Sequence, residues 1–443
     1  IAVYLLLLVR LPGSLTFRFG LSNLIALYLL LGWKTTLGAL VFVCLVWIAI
    51  NLITRLKSRQ ILNSSSLVCF GFSGILLFSF LLHKLNLENT EFPTQMKQIA
   101  PWFPAEFLLP FFATLSFSYI FVRCIDLSRS CIWGNTPLID PISLVGYLIP
   151  FHMLLAGPVN IYKEHVNINN KNADSISPAS TILIINEITT GLFYKFVLAE
   201  GIRIYFYGLG GNILVTEWFD STILIVYVFF DFAGYSKIAR GLGLLYGIPT
   251  PINFNAPFLS TSITEFFSRW HMSMGQFVLH NLFTPIQLVL VRKFGVRWAA
   301  PASIISMVIS FGFVGLWHRL NWTWLLWGVV MGILMAVEKF TQTFLISQKW
   351  NPPDYAKTTI TGLARVYVYS IITLAIYFVS LIYPLRVADF FSIFYTFFEH
   401  YSLIFRFECI KNSRINFFSF RSSFVSIMYY KIFSYSQRVE IFY

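Results

Sequence analysis

The chain has 443 residues, of which 57% are hydrophobic, 18% aromatic and only 12% charged. With a mean hydropathy of +0.71, this composition excludes a soluble globular protein. The net charge of +13 does not indicate nucleic acid as a partner, because basic residues collect on the cytoplasmic side of membrane proteins. We therefore predict an all-α, multi-pass protein of the cytoplasmic (inner) membrane whose spans contact the lipid bilayer.

The cysteines are odd in number, scattered, and without the spacing of metal ligands: Cys44, Cys69, Cys124, Cys131 and Cys409. Most of them lie in apolar runs. We interpret them as packing residues, and we expect neither a metal site nor a permanently bound cofactor.

Apolar runs able to cross a ~30 Å hydrocarbon core number roughly ten along the chain. The first lie at residues 22–33, 35–54 and 66–82. A basic cluster at 55–59 follows the second run and is expected to stay in the cytoplasm. The segment 84–100 has no net charge and is expected to form an external loop.

The next apolar runs lie at residues 101–122 and 142–156. Pro104 and Pro110 predict bends in the first, since proline removes a backbone hydrogen bond. The second ends in Gly157-Pro158, which predicts a tight turn at the membrane edge.

A long apolar region at 181–207 carries four charged residues, which either line a bundle interior or lie on a solvated helix face: Glu187, Lys195, Glu200 and Arg203. We favour the solvated face, because charge runs are usually solvated. Downstream, Asp231 is an ionisable group in an apolar run and a candidate site residue. The glycines that follow it, up to Gly247, lack the pattern and the preceding strand of a nucleotide loop, and they favour close helix packing.

A polar stretch at 251–273 contains the sequence signature of a helix N-terminus. Thr261 or Ser262 can cap the helix, and Glu265 is spaced to bond back to the first turn. We expect this helix to carry Arg269 and Trp270-His271 in its last turns.

His318 is a lone imidazole within the apolar run 311–332. A neutral imidazole at membrane depth is either a proton acceptor or a buried histidine bonded to a neighbouring helix. The second tryptophan–histidine pair favours the first reading. Trp270-His271 and Trp317-His318 are expected to face one shared pocket.

Six ordered motifs, between about residues 100 and 395, resemble those of the membrane-bound O-acyltransferase (MBOAT) superfamily. The resemblance is strongest to its bacterial branch of alginate O-acetylation and teichoic-acid D-alanylation membrane proteins. The motifs are Leu155-Ala-Gly157-Pro158, Asp231-Phe-Ala-Gly234-Tyr235-Ser236, the run from Asn253 to Phe267, Arg269-Trp270-His271-Met-Ser273, Gly315-Leu-Trp317-His318, and Trp327-Gly328 with Glu338.

The resemblance implies a ring of about ten or more tilted helices around a central tunnel, in which a cytosolic donor meets an external acceptor. His318 falls at the family's catalytic histidine, and His271 at the second histidine of the tunnel. The remaining candidates are expected to bind substrate: Trp317, Trp270, Arg269, Ser273, Asn255, Asp231 and Asn321. The sequence departs from the family at Arg319, Met331 and His280.

Three parts of the chain follow from this assignment. Residues 1–100 are N-terminal transmembrane helices, 101–395 are the MBOAT-like core, and 396–443 are a basic, aromatic segment to which we assign no role.

The function that the resemblance implies is transfer of a small acyl group, with acetyl expected first, to a hydroxyl of an exported polysaccharide or cell-envelope glycan. The donor is acyl-CoA or an acylated phosphopantetheine carrier, and an extracytoplasmic acyltransferase is an open candidate for a partner protein. His318 would take the hydroxyl proton as the oxygen attacks the thioester. D-alanyl transfer to teichoic acid is one alternative. A transporter or flippase for a lipid-linked sugar is another, although we find no internal repeat typical of transporters.

Overall fold

The computed structural model describes residues 14–59, 62–88, 98, 105–112, 117–133, 138–166, 178–207, 218–348 and 353–382. The N-terminal half of this described chain contains the helices α1 (Leu15–Ser58), α2 (Leu62–Glu88), α3 (Ala105–Phe112), α4 (Phe117–Trp133), α5 (Pro141–Leu148), α6 (Tyr162–Val166), α7 (Pro178–Phe193) and α8 (Glu200–Tyr207). The C-terminal half contains α9 (Trp218–Tyr246), α10 (Ile263–Arg269), α11 (Met272–Val278), α12 (Thr284–Phe294), α13 (Ala299–His318), α14 (Trp322–Ser347) and α15 (Asp354–Ile382).

The described residues are helical apart from short connections and one isolated antiparallel bridge between Phe254 and Trp270. Eight stretches among them are long and apolar enough to cross a membrane. The prediction of an all-α, multi-pass membrane protein is confirmed. The expected segment 396–443 lies outside the described residues.

Helix α1 contains the first two expected spans, joined by a kink. Gly32 has φ 77° and ψ 171°, a conformation that side chains disfavour. Thr36 accommodates the break by donating its hydroxyl to the Gly32 carbonyl at 2.8 Å. The break therefore falls inside the first expected run, two residues before the expected boundary at Lys34.

Two expected boundaries are wrong. The run 142–156 is helical in α5 only to Leu148, because Pro150 lacks an N–H and restricts the residue before it. The external loop was expected to begin at Lys84, but α2 continues to Glu88 and buries Lys84, which is 6% exposed. The remainder of that loop up to Ala100, apart from residue 98, lies outside the described residues.

A buried polar network fixes the turn after α5. Arg123, fully buried on α4, donates to Asn160 Oδ1 at 3.0 Å and to the Pro158 carbonyl at 3.0 Å. Asp126, one turn along α4, accepts from the Tyr162 N–H at 2.8 Å and from the Asn281 amide at 3.1 Å. The turn around Gly157-Pro158 is thus tied to the bundle interior by charge-assisted hydrogen bonds.

Two of the four charged residues at 181–207 contradict the preference for a solvated face: Glu187 on α7, and Lys195 in the π-helix Tyr194–Ala199 between α7 and α8. Lys195 is 7% exposed and pairs with buried Asp231 on α9 at 2.5 Å. Glu187, 5% exposed, accepts from Lys237 and Arg240 on the same neighbouring helix. Buried charges require partners, and α9 supplies them to both side chains.

Glycines bring α13 and α14 close together. A Cβ added to Gly315 would lie 2.0 Å from the Trp324 carbonyl oxygen, and one added to Gly328 would lie 2.1 Å from the Phe311 carbonyl oxygen. Side chains at either position would push the backbones apart. This close pair positions the end of α13, which carries His318, against the start of α14.

Helices α10 to α12 form a hairpin that returns to the side on which it began. The N-terminus of α10 contacts Glu338, near the C-terminal end of α14. Phe267 contacts Phe311 at 5.0 Å between ring centroids, and His271 contacts Trp317 at 6.3 Å, so α10 runs toward the C-terminal end of α13. Phe277 on α11 meets Phe313 at 6.4 Å as the chain turns back. His271 therefore lies at the tip of the hairpin.

Candidate active site

A cavity of about 600 Å³ lies among α9, α10, α11, α13, α14 and α15. Its lining is largely apolar and aromatic, and it includes Phe232, Phe311 and Met331. Polar lining groups are few. Among the described lining residues, the charged or titratable side chains are His271, His318 and Lys339. An apolar cavity with a few convergent polar groups is the usual form of a small-molecule site.

His318 is the last residue of α13, and it is exposed and lines the cavity. Three indole rings surround its imidazole, with ring centroids 5.0 Å away for Trp317, 5.4 Å for Trp324 and 6.1 Å for Trp327. The aromatic ring contacts fix the imidazole while leaving its surface open to a ligand. This accessibility suits a group that exchanges protons with substrate.

His271 lies between α10 and α11, and not in the last turn of a helix as expected. Its backbone is left-handed, with φ 47° and ψ 50°. The helix ends at Arg269 because Trp270 is extended and pairs with Phe254. A non-glycine residue in this conformation is uncommon and is often held at functional sites.

The His271 side chain is only 8% exposed, and its Nε2 atom has no hydrogen-bond partner among the described residues. Its ring packs on Phe232 at 4.8 Å between centroids. Buried polar atoms normally have partners. An unpaired imidazole nitrogen on a cavity-lining residue is therefore a candidate for contact with substrate.

Trp317 joins the two histidines. Its ring lies 6.3 Å from His271 and 5.0 Å from His318, and its Nε1 donates to the Ser118 carbonyl at 3.1 Å. Trp317 does not line the cavity, whereas Trp270 does. Of the two tryptophan–histidine pairs, Trp270, His271 and His318 thus line one cavity, whereas Trp317 contacts both imidazoles without lining it.

Ser273 acts within the hairpin, where it contacts backbone and amide groups. Its hydroxyl donates to Asn253 Oδ1 at 2.6 Å and accepts from the Val159 N–H at 2.9 Å. Asn253 also donates to Ser236 at 3.1 Å and accepts from the Met272 N–H through its carbonyl. These bonds hold the two residues that follow His271.

The remaining sequence candidates do not line the cavity. Arg269 pairs with Glu265 at 2.7 Å, and the Asn255 N–H bonds to the Arg269 carbonyl. Asn321 is the N-cap of α14 and accepts from the Trp324 N–H at 2.9 Å. Asp231 is paired with Lys195 and precedes the lining residue Phe232 in the sequence.

The start of α10 has the expected cap. Ser262 accepts from the Glu265 N–H at 2.9 Å, and Glu265 accepts from the Thr261 N–H at 2.7 Å. The hydrogen bond from the Thr261 N–H is the main cause that holds the pKa of Glu265 below its ordinary value. Glu338 adds a second cap by accepting from the N–H groups of Ile263 and Thr264.

The sequence analysis did not single out Trp324 or Lys84 as site residues, and it named Trp327 only as part of a motif. Trp324 and Trp327 line the cavity around His318, and each has a buried Nε1 without a partner among the described residues. The available signal was their spacing of three residues, which places both indoles on one face of α14. Lys84 contacts the backbone of His318 from 234 residues away, and no local pattern indicates it.

The arrangement suits proton transfer better than covalent catalysis. Ser310 is the lining hydroxyl on the same helix as His318, but it lies about 12 Å along the helix axis from it. A nucleophilic serine needs to lie within hydrogen-bond reach of its base. Within the described residues, no cluster of three His, Cys, Asp or Glu could hold a metal ion.

The fold and the cavity together define a multi-pass membrane protein with two histidines in an aromatic-walled cavity. The model of the membrane-bound O-acyltransferase family matches residues 134–383, more than half of the chain and including both histidines. The chain belongs to this family of O-acyltransferases.

Relatives with stated activities cover different shares of the chain. Teichoic acid D-alanyltransferase of Bacillus subtilis (strain 168) is 26% identical over 72% of this chain and 80% of its own length. The probable alginate O-acetylase AlgI of Pseudomonas putida is 28% identical over 63% of this chain, which spans 55% of that relative. Peptidoglycan O-acetyltransferase of Helicobacter pylori is 29% identical over 43% of this chain and 36% of its own length.

Proposed function

We propose that this protein transfers a small acyl group, acetyl first among the candidates, from a cytosolic thioester to a hydroxyl of an exported polysaccharide or cell-envelope glycan in the cytoplasmic membrane. The observation that carries the proposal is the exposed His318 imidazole in a cavity shared with His271. The family membership supplies the reaction class.

In the proposed reaction, His318 carries the proton from the acceptor hydroxyl to the leaving group. The His318 imidazole takes the proton of the acceptor hydroxyl as its oxygen attacks the thioester carbonyl. The new C–O bond forms, the C–S bond breaks, and the protonated imidazole returns the proton to the leaving thiolate. His271, with its unpaired Nε2, orients a substrate oxygen.

The chemistry of the cavity favours an uncharged acyl group. Among the described lining residues there is no Asp or Glu to balance the ammonium of a D-alanyl group. Around His318 the lining is aromatic, with Trp324 and Trp327. Desolvating an unpaired charge there would be costly. D-alanyl transfer remains the alternative product that the experiment distinguishes.

Lys339 supports a donor that carries phosphate. It lies on α14, lines the cavity and lies 12 residues, or about 18 Å along the axis, from Trp327. An extended pantetheine arm can cover such a distance with its phosphate near the lysine and its thioester near His318. Either acyl-CoA or an acylated phosphopantetheine carrier has this chemistry.

Mass spectrometry of cell-envelope glycans tests the proposal. A strain without this gene should lose one acyl substituent, which the wild-type gene restores and the His318→Ala gene does not. The mass and position of the substituent identify acetyl or D-alanyl and the acceptor. Glycans with unchanged substituents in the deletion strain would refute the acyltransferase function. Accumulation of a lipid-linked sugar on the cytoplasmic side of the membrane in the deletion strain would instead support the alternative function as a transporter or flippase.

A further inference from the structure

Lys84 lies in the last turns of α2, far from the catalytic motifs in sequence, yet it reaches the residue that carries the base. Its Nζ donates to the Trp317 carbonyl at 2.7 Å and to the His318 carbonyl at 3.2 Å. The side chain is 6% exposed. A buried lysine in a membrane span is costly unless its charge is satisfied.

The two carbonyls are groups that α13 itself cannot satisfy. The last four carbonyls of an α-helix have no partner within the helix. A lysine at this end also interacts favourably with the negative pole of the helix dipole. The Lys84 ammonium therefore stabilises one backbone geometry at the point where His318 leaves the helix.

The preceding residue supports the same end of α13 by another route. His83 Nδ1 lies 2.6 Å from the Phe112 carbonyl and donates to it, so Nε2 accepts from the Ser118 hydroxyl at 2.8 Å. The Ser118 carbonyl accepts from Trp317 Nε1 at 3.1 Å. Consecutive residues of α2 thus hold Trp317 and His318 through separate groups.

We propose that Lys84 is a positioning residue that fixes the peptide of His318 and, with it, the direction of the imidazole in the cavity. The inference rests on the proposed transferase function. Lys84 donates to the backbone carbonyl of His318, so removing its ammonium changes the support of that peptide. Small errors in the position of a catalytic group lower the rate of the chemical step more than they lower binding.

Kinetics of purified variants with a labelled thioester donor test this role. Lys84→Met keeps the length of the side chain and removes the donor groups, and it should lower kcat by about 10²-fold. The apparent KM for the donor should stay within about twofold, because uniform binding is unaffected. Lys84→Arg keeps charge and donors and should recover most of the rate. Lys293→Met, on the exposed surface of α12, is the matched control and should match wild type.

Hydrogen exchange keeps the proposal testable if the Met variant loses stability. In Lys84→Gln, amides at residues 315–321 should exchange faster while those at 272–278 keep their wild-type rates. Uniformly faster exchange, or a kcat equal to wild type in Lys84→Met, would overturn the positioning role. If wild-type protein transfers no acyl group, the proposed function fails instead. If His318→Ala is inactive while Lys84→Met is fully active, this inference alone fails.

Discussion

At the scale of single residues, the two histidines differ in access. His318 is exposed and lines the cavity, whereas His271 is 8% exposed and lies in a left-handed bend. A general base needs to meet the reacting hydroxyl directly. A buried imidazole whose following residues, Met272 and Ser273, are tied to Asn253 is better suited to orienting substrate.

His271→Ala should therefore lower activity less than loss of His318. We expect a reduction of roughly 10-fold, mostly as a higher apparent KM for the acceptor, because an oriented hydrogen bond is removed while the base remains. Acceptor titrations with purified protein check this. His271→Asn, which keeps a side-chain donor and an acceptor, serves as the control. A drop in kcat as large as that of His318→Ala would show instead that both imidazoles take part in proton transfer.

The sequence predicts residues that local pattern defines and misses those that depend on distant contacts. The pairs Trp270-His271 and Trp317-His318 are visible as polar groups in apolar runs, and both histidines line one cavity. Arg269 was also singled out, but its i,i+4 bond to Glu265 turns it along the helix surface. No local sequence pattern indicates the role of Lys84, because its hydrogen-bond partners follow it by 233 and 234 residues.

At the scale of elements, the close contact of α13 with α14 sets the geometry of the site. Small residues let membrane helices approach, and Gly315, Gly328 and Gly332 provide the contact surface. The sequence indicated such packing for the glycines after Asp231, and a Cβ on Gly234 would indeed lie 2.7 Å from the Lys195 N atom. It did not specify which helices would meet.

Gly328→Ala should destabilise the protein and reduce transfer. The added Cβ would lie 2.1 Å from the Phe311 carbonyl oxygen, so the helices have to separate, at a cost of about 1–3 kcal/mol for overpacking. Thermal unfolding in detergent and transfer assays check the prediction. Gly312→Ala is the matched control on the same interface, since its Cβ would meet side-chain atoms at 3.5 Å and 3.6 Å. Equal thermal midpoints for both variants would contradict the close-packing argument.

The start of α10 was predicted correctly because a local cap decides it: Ser262 accepts from the Glu265 N–H, as the sequence indicates. The end of α5 before Pro150 and the break at Gly32 in α1 were not predicted. The tip of the hairpin at His271 was missed, because Trp270 is extended by pairing with Phe254, a tertiary contact. Pairing across a turn overrides local helix preference.

At the scale of the whole molecule, basic residues mark one side of the membrane. Arg292, Lys293 and Arg297 precede α13, and Lys339 lies near the end of α14, on the same side. The turn that follows His318 carries one basic residue, Arg319. From the positive-inside rule we therefore predict that the N-terminus of α13 lies in the cytoplasm and His318 toward the outer side.

Cysteine labelling tests this orientation. In a background without the five native cysteines, Val296→Cys and Trp322→Cys lie at opposite ends of α13, at positions that are 81% and 84% exposed. An impermeant thiol reagent added to intact cells should label position 322 and not 296. Lysed cells, in which both label, provide the control. Labelling of position 296 alone would show that the protein has the opposite orientation in the membrane, with the donor and acceptor sides exchanged.

The most direct test of the account is transfer of a labelled acyl group by purified wild-type protein and His318→Gln. Glutamine keeps a hydrogen-bonding side chain at the end of α13 but cannot accept the proton from the hydroxyl. General-base catalysis contributes about 10²- to 10⁴-fold, so we predict a loss of that size in a variant with wild-type abundance and thermal midpoint. Acyl transfer by His318→Gln at the wild-type rate would contradict the assignment of His318 as the base.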